Sequence, residues 1–293
     1  MLTDADLPAL WSELGIPGIV DVHTHFLPEE VMQAVWGYFD AASHNYGVDW
    51  PITYRWDDDT RLAHLREMGV LRFTSLVYAH KPGMAAWLND WSLGFAQAVP
   101  DCLPTATFHP EPSAADYVAT ALERGARVFK AHLQVGDYDP RDPLLRPVWA
   151  MIADAQVPVV AHCGSAPLPG RFTGPGPIGE VLAEFPDLRL IIAHLGAGEF
   201  GEFLDLALRR PHTWLDTTMG LTSFMQELQP FPADRLPQLR ELSAAGGVLF
   251  GSDFPNVPYS YAHQVEVLGD HGLDLPEVLW HAPVRLFGEP DAG

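Results

Sequence analysis

Lysine is almost missing from this sequence: of 17 basic residues in 293, only Lys81 and Lys130 are lysines. In so arginine-biased a chain each remaining ammonium invites a chemical explanation, because it shifts its pKa and reacts where a guanidinium does not. Cysteine is equally sparse. Cys102 and Cys163 lie far apart with no Cys-x-x-Cys, which argues against a disulfide framework and a cysteine zinc site. Positive charge is also short, giving 17 − 38 = −21 and a pI of about 4.8. Such an acidic surface repels phosphate backbones, so no nucleic-acid partner is expected. No apolar run approaches the ~20 residues of a membrane span. The opening MLTDADLPALWSELGIPG has acids where a signal peptide needs basic residues, and no apolar h-region. A soluble, cytoplasmic protein without a membrane partner is expected.

What is plentiful is apolar. Hydrophobic residues make up 47% and the mean hydropathy is +0.01, which supports a large core and argues against disorder. The length suits one α/β barrel, which takes roughly 250 residues. The most informative stretch is Ile19-Val20-Asp21-Val22-His23-Thr24-His25, where apolar residues alternate with Asp21, His23 and His25 ahead of Pro28. Side chains two apart in a strand share a face, so the imidazoles are expected side by side near the strand's C-terminal end. Two neutral imidazoles make half of a metal site; two ordinary strand histidines are the alternative.

Residues 28–56 follow, rich in aromatics (Trp36, Tyr38, Phe39, Tyr46, Trp50, Tyr54, Trp56), and read as a partly helical excursion. A strand and helix rhythm then repeats. After a helix over 57–68, strands are expected over 70–78, 103–108, 126–132, 157–162, 188–194, 213–217 and 247–253, which with the first makes eight. Helices are expected near 84–98, 113–124 with Ser113 as its cap, 143–155, 177–185, 198–210, 233–245 and 260–270, with a turn near 276–287. No linker or repeat divides the chain, so 1–293 is expected to be one domain. Eight strands alternating with helices predict a (β/α)8 TIM barrel, with a long aromatic-rich insertion after the first strand, rather than a doubly wound sheet.

Five of these strands end in residues that bind metals or move protons: His23 and His25, Lys130 and His132, His162, His194, and Asp253. The C-terminal strand ends of such a barrel converge on one mouth, where catalytic groups sit. Asp21-Val22-His23-Thr24-His25-Phe26-Leu27-Pro28, Ala161-His162-Cys163-Gly164, Ala193-His194-Leu195-Gly196 and Gly251-Ser252-Asp253-Phe254-Pro255 resemble, in this order, signature motifs of the amidohydrolase superfamily. More narrowly, the chain resembles the branch with aminocarboxymuconate-semialdehyde decarboxylase, γ-resorcylate decarboxylase and the pyrone-dicarboxylate lactonases. That resemblance implies a divalent metal, usually Zn2+, with His23, His25, His162 and Asp253 as ligands and His194 as a nearby catalytic histidine. The chemistry agrees. Three imidazoles and a carboxylate hold a borderline cation and leave room for water, Asp253 can take that water's proton, and His194 can polarise a substrate oxygen or relay a proton.

Lys130 is the fork. In binuclear members of the superfamily a lysine here is carbamylated and bridges two metals, whereas many mononuclear relatives keep an unmodified Lys-x-His. The reading preferred is an unmodified Lys130 contacting a substrate anion or Asp253, with one metal per chain; a carbamate would bring two, and a plain structural ion pair is the third reading. Weaker candidates are His109 (a pocket residue or a capped surface one), Asp216 (orienting the site or capping a turn) and Arg55 (a carboxylate ligand or a surface residue). Cys163 reads as core. The expected function is a metal-dependent hydrolase, with catalytic Asp253, His194 and Lys130 and with water attacking an ester, lactone or amide carbonyl of a small molecule. The alternative is a metal-dependent, non-oxidative decarboxylase (a carboxy-lyase) of an aromatic or dienoic acid. A non-catalytic binding barrel is the third reading. The substrate can be a carboxylate, and resemblance alone points to a homodimer.

Overall fold

Short strands, most of them closed by a polar residue or a proline, alternate with helices through residues 2–290, which a computed structural model describes. The strands are β1 (Ile19–Asp21), β2 (Val70–Thr74), β3 (Cys102–Leu103), β4 (Thr105–Thr107), β5 (Val128–His132), β6 (Val159–His162), β7 (Leu190–Ile192), β8 (Thr213–Asp216) and β9 (Val248–Leu249). The expected third strand becomes two, because Pro104 has no N–H to give the ladder and interrupts it.

Several strands are shorter than the sequence predicts, each stopping where the backbone turns or its N–H groups find partners outside the ladder. β1 stops at Asp21 because the next N–H groups bond elsewhere: that of Val22 to the Phe250 carbonyl and that of His23 to the Asp21 carboxylate. β7 stops at Ile192, where the chain enters a tight turn with His194 at φ 58° and Leu195 at φ 54°. β9 ends before Asp253, itself in a left-handed turn at φ 64°. Helices fall close to expectation, among them Asp58–Glu67, Ala85–Ala98, Phe200–Arg209 and Tyr261–Asp270. Ser113 sits at the start of Ala114–Glu123 but makes no side-chain cap bond, a correction to its expected role. Asp57 does cap its helix, accepting from the Thr60 N–H at 2.8 Å, with Asp58 and Asp59 complementing the positive helix start. Among the described residues no helix is long and apolar enough to cross a membrane.

By its contacts the chain divides into two compact units, one of residues up to Phe73 with those from Thr217 onward, the other Thr74–Asp216. In the first, β1 and β2 pair in parallel with Asp21 opposite Phe73. The aromatic segment forms helices Glu29–Asp40 and Ala42–Tyr46. It is fastened to the chain after Asp253: Trp36 Nε1 donates to Asn256 Oδ1 (3.0 Å), Trp50 Nε1 to the Asn256 carbonyl (2.7 Å), and the Thr53 N–H to the Val257 carbonyl (2.9 Å). In the second unit β4 to β8 form parallel neighbours, with Thr107 opposite Lys130, Lys130 opposite Val160 and His132 opposite His162. Parallel register brings successive strand ends level, so their terminal polar side chains become neighbours.

Trp149 anchors this second unit. It is 1% exposed, packs edge-on against Phe108 at 4.9 Å between ring centroids, and donates Nε1–H to the Pro140 carbonyl at 2.8 Å. Trp149→Ala should lower unfolding free energy by about 3–5 kcal/mol, the range for emptying a large aromatic site. Urea denaturation with an unchanged slope would show it.

Candidate metal centre and histidine cluster

His23 and His25 lie beyond the end of β1, yet their rings sit 5.2 Å apart, edge to face. The segment 250–254 takes over the role the strand was expected to play. The His25 N–H donates to the Phe254 carbonyl at 2.7 Å, and the Asp253 N–H donates to the His23 carbonyl at 2.8 Å. This exchange carries the Asp253 carboxylate to the imidazoles, with Oδ1 2.9 Å from His25 Nε2 and 3.6 Å from His23 Nε2. Among the described residues these three form the one group of three or more metal-type ligands whose donor atoms all lie within 4.8 Å of one another. Ligands about 2.0–2.2 Å from a tetrahedral cation stand roughly 3.3–3.6 Å apart, so the donor set fits a divalent metal. His23 and His25 are 1% and 5% exposed, which excludes bulk water from two of the three ligands.

Beneath this cluster lies Asp21, which is fully buried. Its Oδ1 accepts the N–H groups of His23 (3.0 Å) and Ser252 (3.1 Å), and its Oδ2 the hydroxyls of Ser252 (2.5 Å) and Tyr261 (2.7 Å). Burial pushes its carboxyl up to about 7, against these four hydrogen bonds, which favour the ionised form. The sequence reading gave Asp21, Ser252 and Tyr261 no role. Asp21 and Ser252 were within its reach, since each adjoins or alternates with an expected ligand and a buried carboxylate must find donors.

The second unit holds the other expected site residues. His132 and His162, opposite each other on β5 and β6, stack at 4.1 Å with 15° between their planes, and His162 meets His194 at 4.6 Å. His162 Nε2 lies 3.1 Å from the Ala166 carbonyl. A carbonyl only accepts, so Nε2 carries the hydrogen in this arrangement. Asp216, fully buried at the end of β8, accepts the His194 N–H at 2.9 Å and so holds the turn that presents this imidazole. Gly196 completes that turn at φ +74°, where a Cβ would come within 2.4 Å of Phe203. Lys130 is fully buried in β5, flanked in register by Thr107 and Val160.

The loop after His162 is tied to the loop after His194. Glu199 accepts from the Ser165 hydroxyl and from its N–H (3.1 Å), and Gly164 lies so close to Ala197 that a Cβ would meet its carbonyl at 2.4 Å. Among the weaker candidates, Arg55 is an exposed partner of Asp40, at 2.5 and 2.9 Å. His109 Nε2 lies 3.3 Å from the Gly136 carbonyl. Cys163 is fully buried, and burial pushes its thiol well up, which makes a poor nucleophile.

The family model described as amidohydrolase matches residues 20–288. The chain therefore belongs to the amidohydrolase family, and its fold is the TIM barrel of that family, with divalent metal binding typical of its members. It is 26% identical over 293 aligned positions to 6-methylsalicylic acid decarboxylase of Penicillium expansum, covering 82% of this chain and 86% of that protein. Among solved structures it is similar to a TIM-barrel protein of Bordetella bronchiseptica (TM-score 0.73, 19% identity, 92% of this chain and 98% of that one). It is similar also to 2,6-dihydroxybenzoate decarboxylase bound to 2,6-dihydroxybenzoate (TM-score 0.63, 16% identity, 94% of this chain and 100% of that one).

Protein purified without chelators should carry about one equivalent of divalent metal. His25→Ala or Asp253→Ala should each lower that content severalfold. Elemental analysis of metal per chain, repeated after dialysis against excess Zn2+, measures both.

Proposed function

We propose that this protein is a metal-dependent, non-oxidative carboxy-lyase acting on a small aromatic acid, a carboxylated phenol in the first instance. The observation that carries this reading is the similarity to 6-methylsalicylic acid decarboxylase across more than four fifths of both chains, supported by the likeness to 2,6-dihydroxybenzoate decarboxylase. It reverses the order of preference drawn from sequence, where hydrolysis came first. Hydrolysis remains the second reading, favoured by the burial of Lys130 within β5: a carbamate formed there would add a carboxylate ligand and a second metal.

His23, His25 and Asp253 would hold one cation, Zn2+ by resemblance, and His162 would join them as the family pattern implies. A divalent cation held there supplies Lewis-acid polarisation to substrate oxygens. In the lyase reading the bond between ring carbon and carboxyl carbon breaks, its electron pair stays on the ring, and CO2 leaves. A proton must then reach that carbon. His194, held from behind by Asp216, delivers it, while Asp253 holds a proton at its carboxylate as required. Lys130, unmodified, offsets the charge of the substrate anion. A cytoplasmic homodimer goes with this proposal only as the expectation drawn from sequence and resemblance.

Incubation with a panel of carboxylated phenols should release CO2 from at least one, and His194→Asn should slow that release by about 10²–10⁴-fold, the usual contribution of a positioned acid. Acid release from lactones or esters with no CO2 from any phenolic acid, together with about two metals per chain, would return hydrolysis to first place.

A further inference from the structure

Asp21 joins three stretches of chain far apart in sequence: its own segment carrying His23 and His25, the segment carrying Asp253, and the start of the helix Tyr261–Asp270. Its Oδ1 receives only backbone N–H groups, from His23 and Ser252, whereas its Oδ2 receives only hydroxyls, from Ser252 and Tyr261. Tyr261 is fully buried, its ring lying against Phe250 and Phe254, and its own N–H is held by the Tyr54 hydroxyl. Packing alone would be served as well by phenylalanine, and a phenol buried there without a partner would be unfavourable. The hydroxyl is therefore spent on the carboxylate.

Ser252 is doubly committed. Besides its two bonds to Asp21, its Oγ accepts the Phe254 N–H at 3.0 Å and its carbonyl accepts from Gln264 Nε2 at 2.7 Å. Asp253 follows in a left-handed turn whose backbone returns to the His23 carbonyl. Any relaxation at Asp21 thus reaches both sides of the ligand set together. A metal is sensitive to this, because its ligands must converge within a few tenths of an ångström.

We propose that Tyr261 is a positioning residue of the metal centre: with Ser252 it locks the Asp21 carboxylate, which fixes His23 and His25 against Asp253 and so sets the affinity for the divalent cation. This rests on reading His23, His25 and Asp253 as a metal centre, and not on which reaction that centre serves.

The test compares the full-length protein with Tyr261→Phe, Ser252→Ala and the double variant, each stripped of metal and confirmed folded by its thermal transition. Zn2+ dissociation constants are measured at 25 °C by competition with a chromogenic chelator, and the visible spectrum of Co2+ bound at the site is recorded. Tyr261→Phe should weaken Zn2+ binding about tenfold, the lower end of what outer partners of a metal site contribute, and shift the Co2+ bands. Ser252→Ala should do the same, and the double variant should lose less than the sum of the two, because both hydroxyls act on one oxygen. A Zn2+ constant within twofold of wild type and an unchanged Co2+ spectrum in both single variants would overturn the proposal, whatever their thermal transitions, since a merely structural tyrosine moves stability alone. If wild-type protein binds no Zn2+ that His23→Ala abolishes, the metal reading itself fails and this inference falls with it.

Discussion

A carboxylate sealed from water must be met by donors, and that requirement at Asp21 shapes the ligand-bearing part of the first unit. Its four donors come from residues two, 231 and 240 positions away along the chain. Satisfying them draws the His23 N–H out of the strand ladder and holds segments 21–25 and 250–254 side by side. It also seats the start of the helix Tyr261–Asp270 against both. Leaving such a group partly satisfied would cost several kcal/mol, which favours holding these segments together. The metal-type ligands inherit their order from this junction.

The second unit solves a related problem with other means. Its imidazoles are placed by strand register and by turns rather than by a shared acid. His132 and His162 are level because β5 and β6 run parallel, and His194 is turned by a backbone that Asp216 grips. Lys130 is enclosed by the strand interior, an environment that raises the energy of any unpaired ammonium and so demands a compensating negative group.

Much of this was legible in the chain before any coordinates. The alternation around β1 gave the pairing of His23 with His25, the hydrophobic rhythm gave helices and strand positions to within a few residues, and the motif order gave the family. Other features were not legible, for physical reasons. That β1 ends at Asp21 depends on hydrogen bonds to residues some 230 positions away, which no local pattern carries. The role of Tyr261 is equally non-local. Pro104, by contrast, was a visible interruption whose effect on the third strand the sequence reading passed over. The choice between lyase and hydrolase turns on substrate contacts, which periodicity and composition do not encode.

His194 and Asp253 share one further property. Both occupy left-handed backbone, at φ 58° and 64°, where an L-amino acid carries a penalty of roughly 1–2 kcal/mol that glycine escapes. Glycine at either place would relax the backbone and remove a side chain of the proposed site. Asp137, Gln156, Leu195 and Met219 share this backbone, but at His194 and Asp253 it also aims a side chain in a direction that regular strand geometry does not provide. Stabilising the chain by placing glycine at these two turns would therefore remove side chains that the proposed site uses.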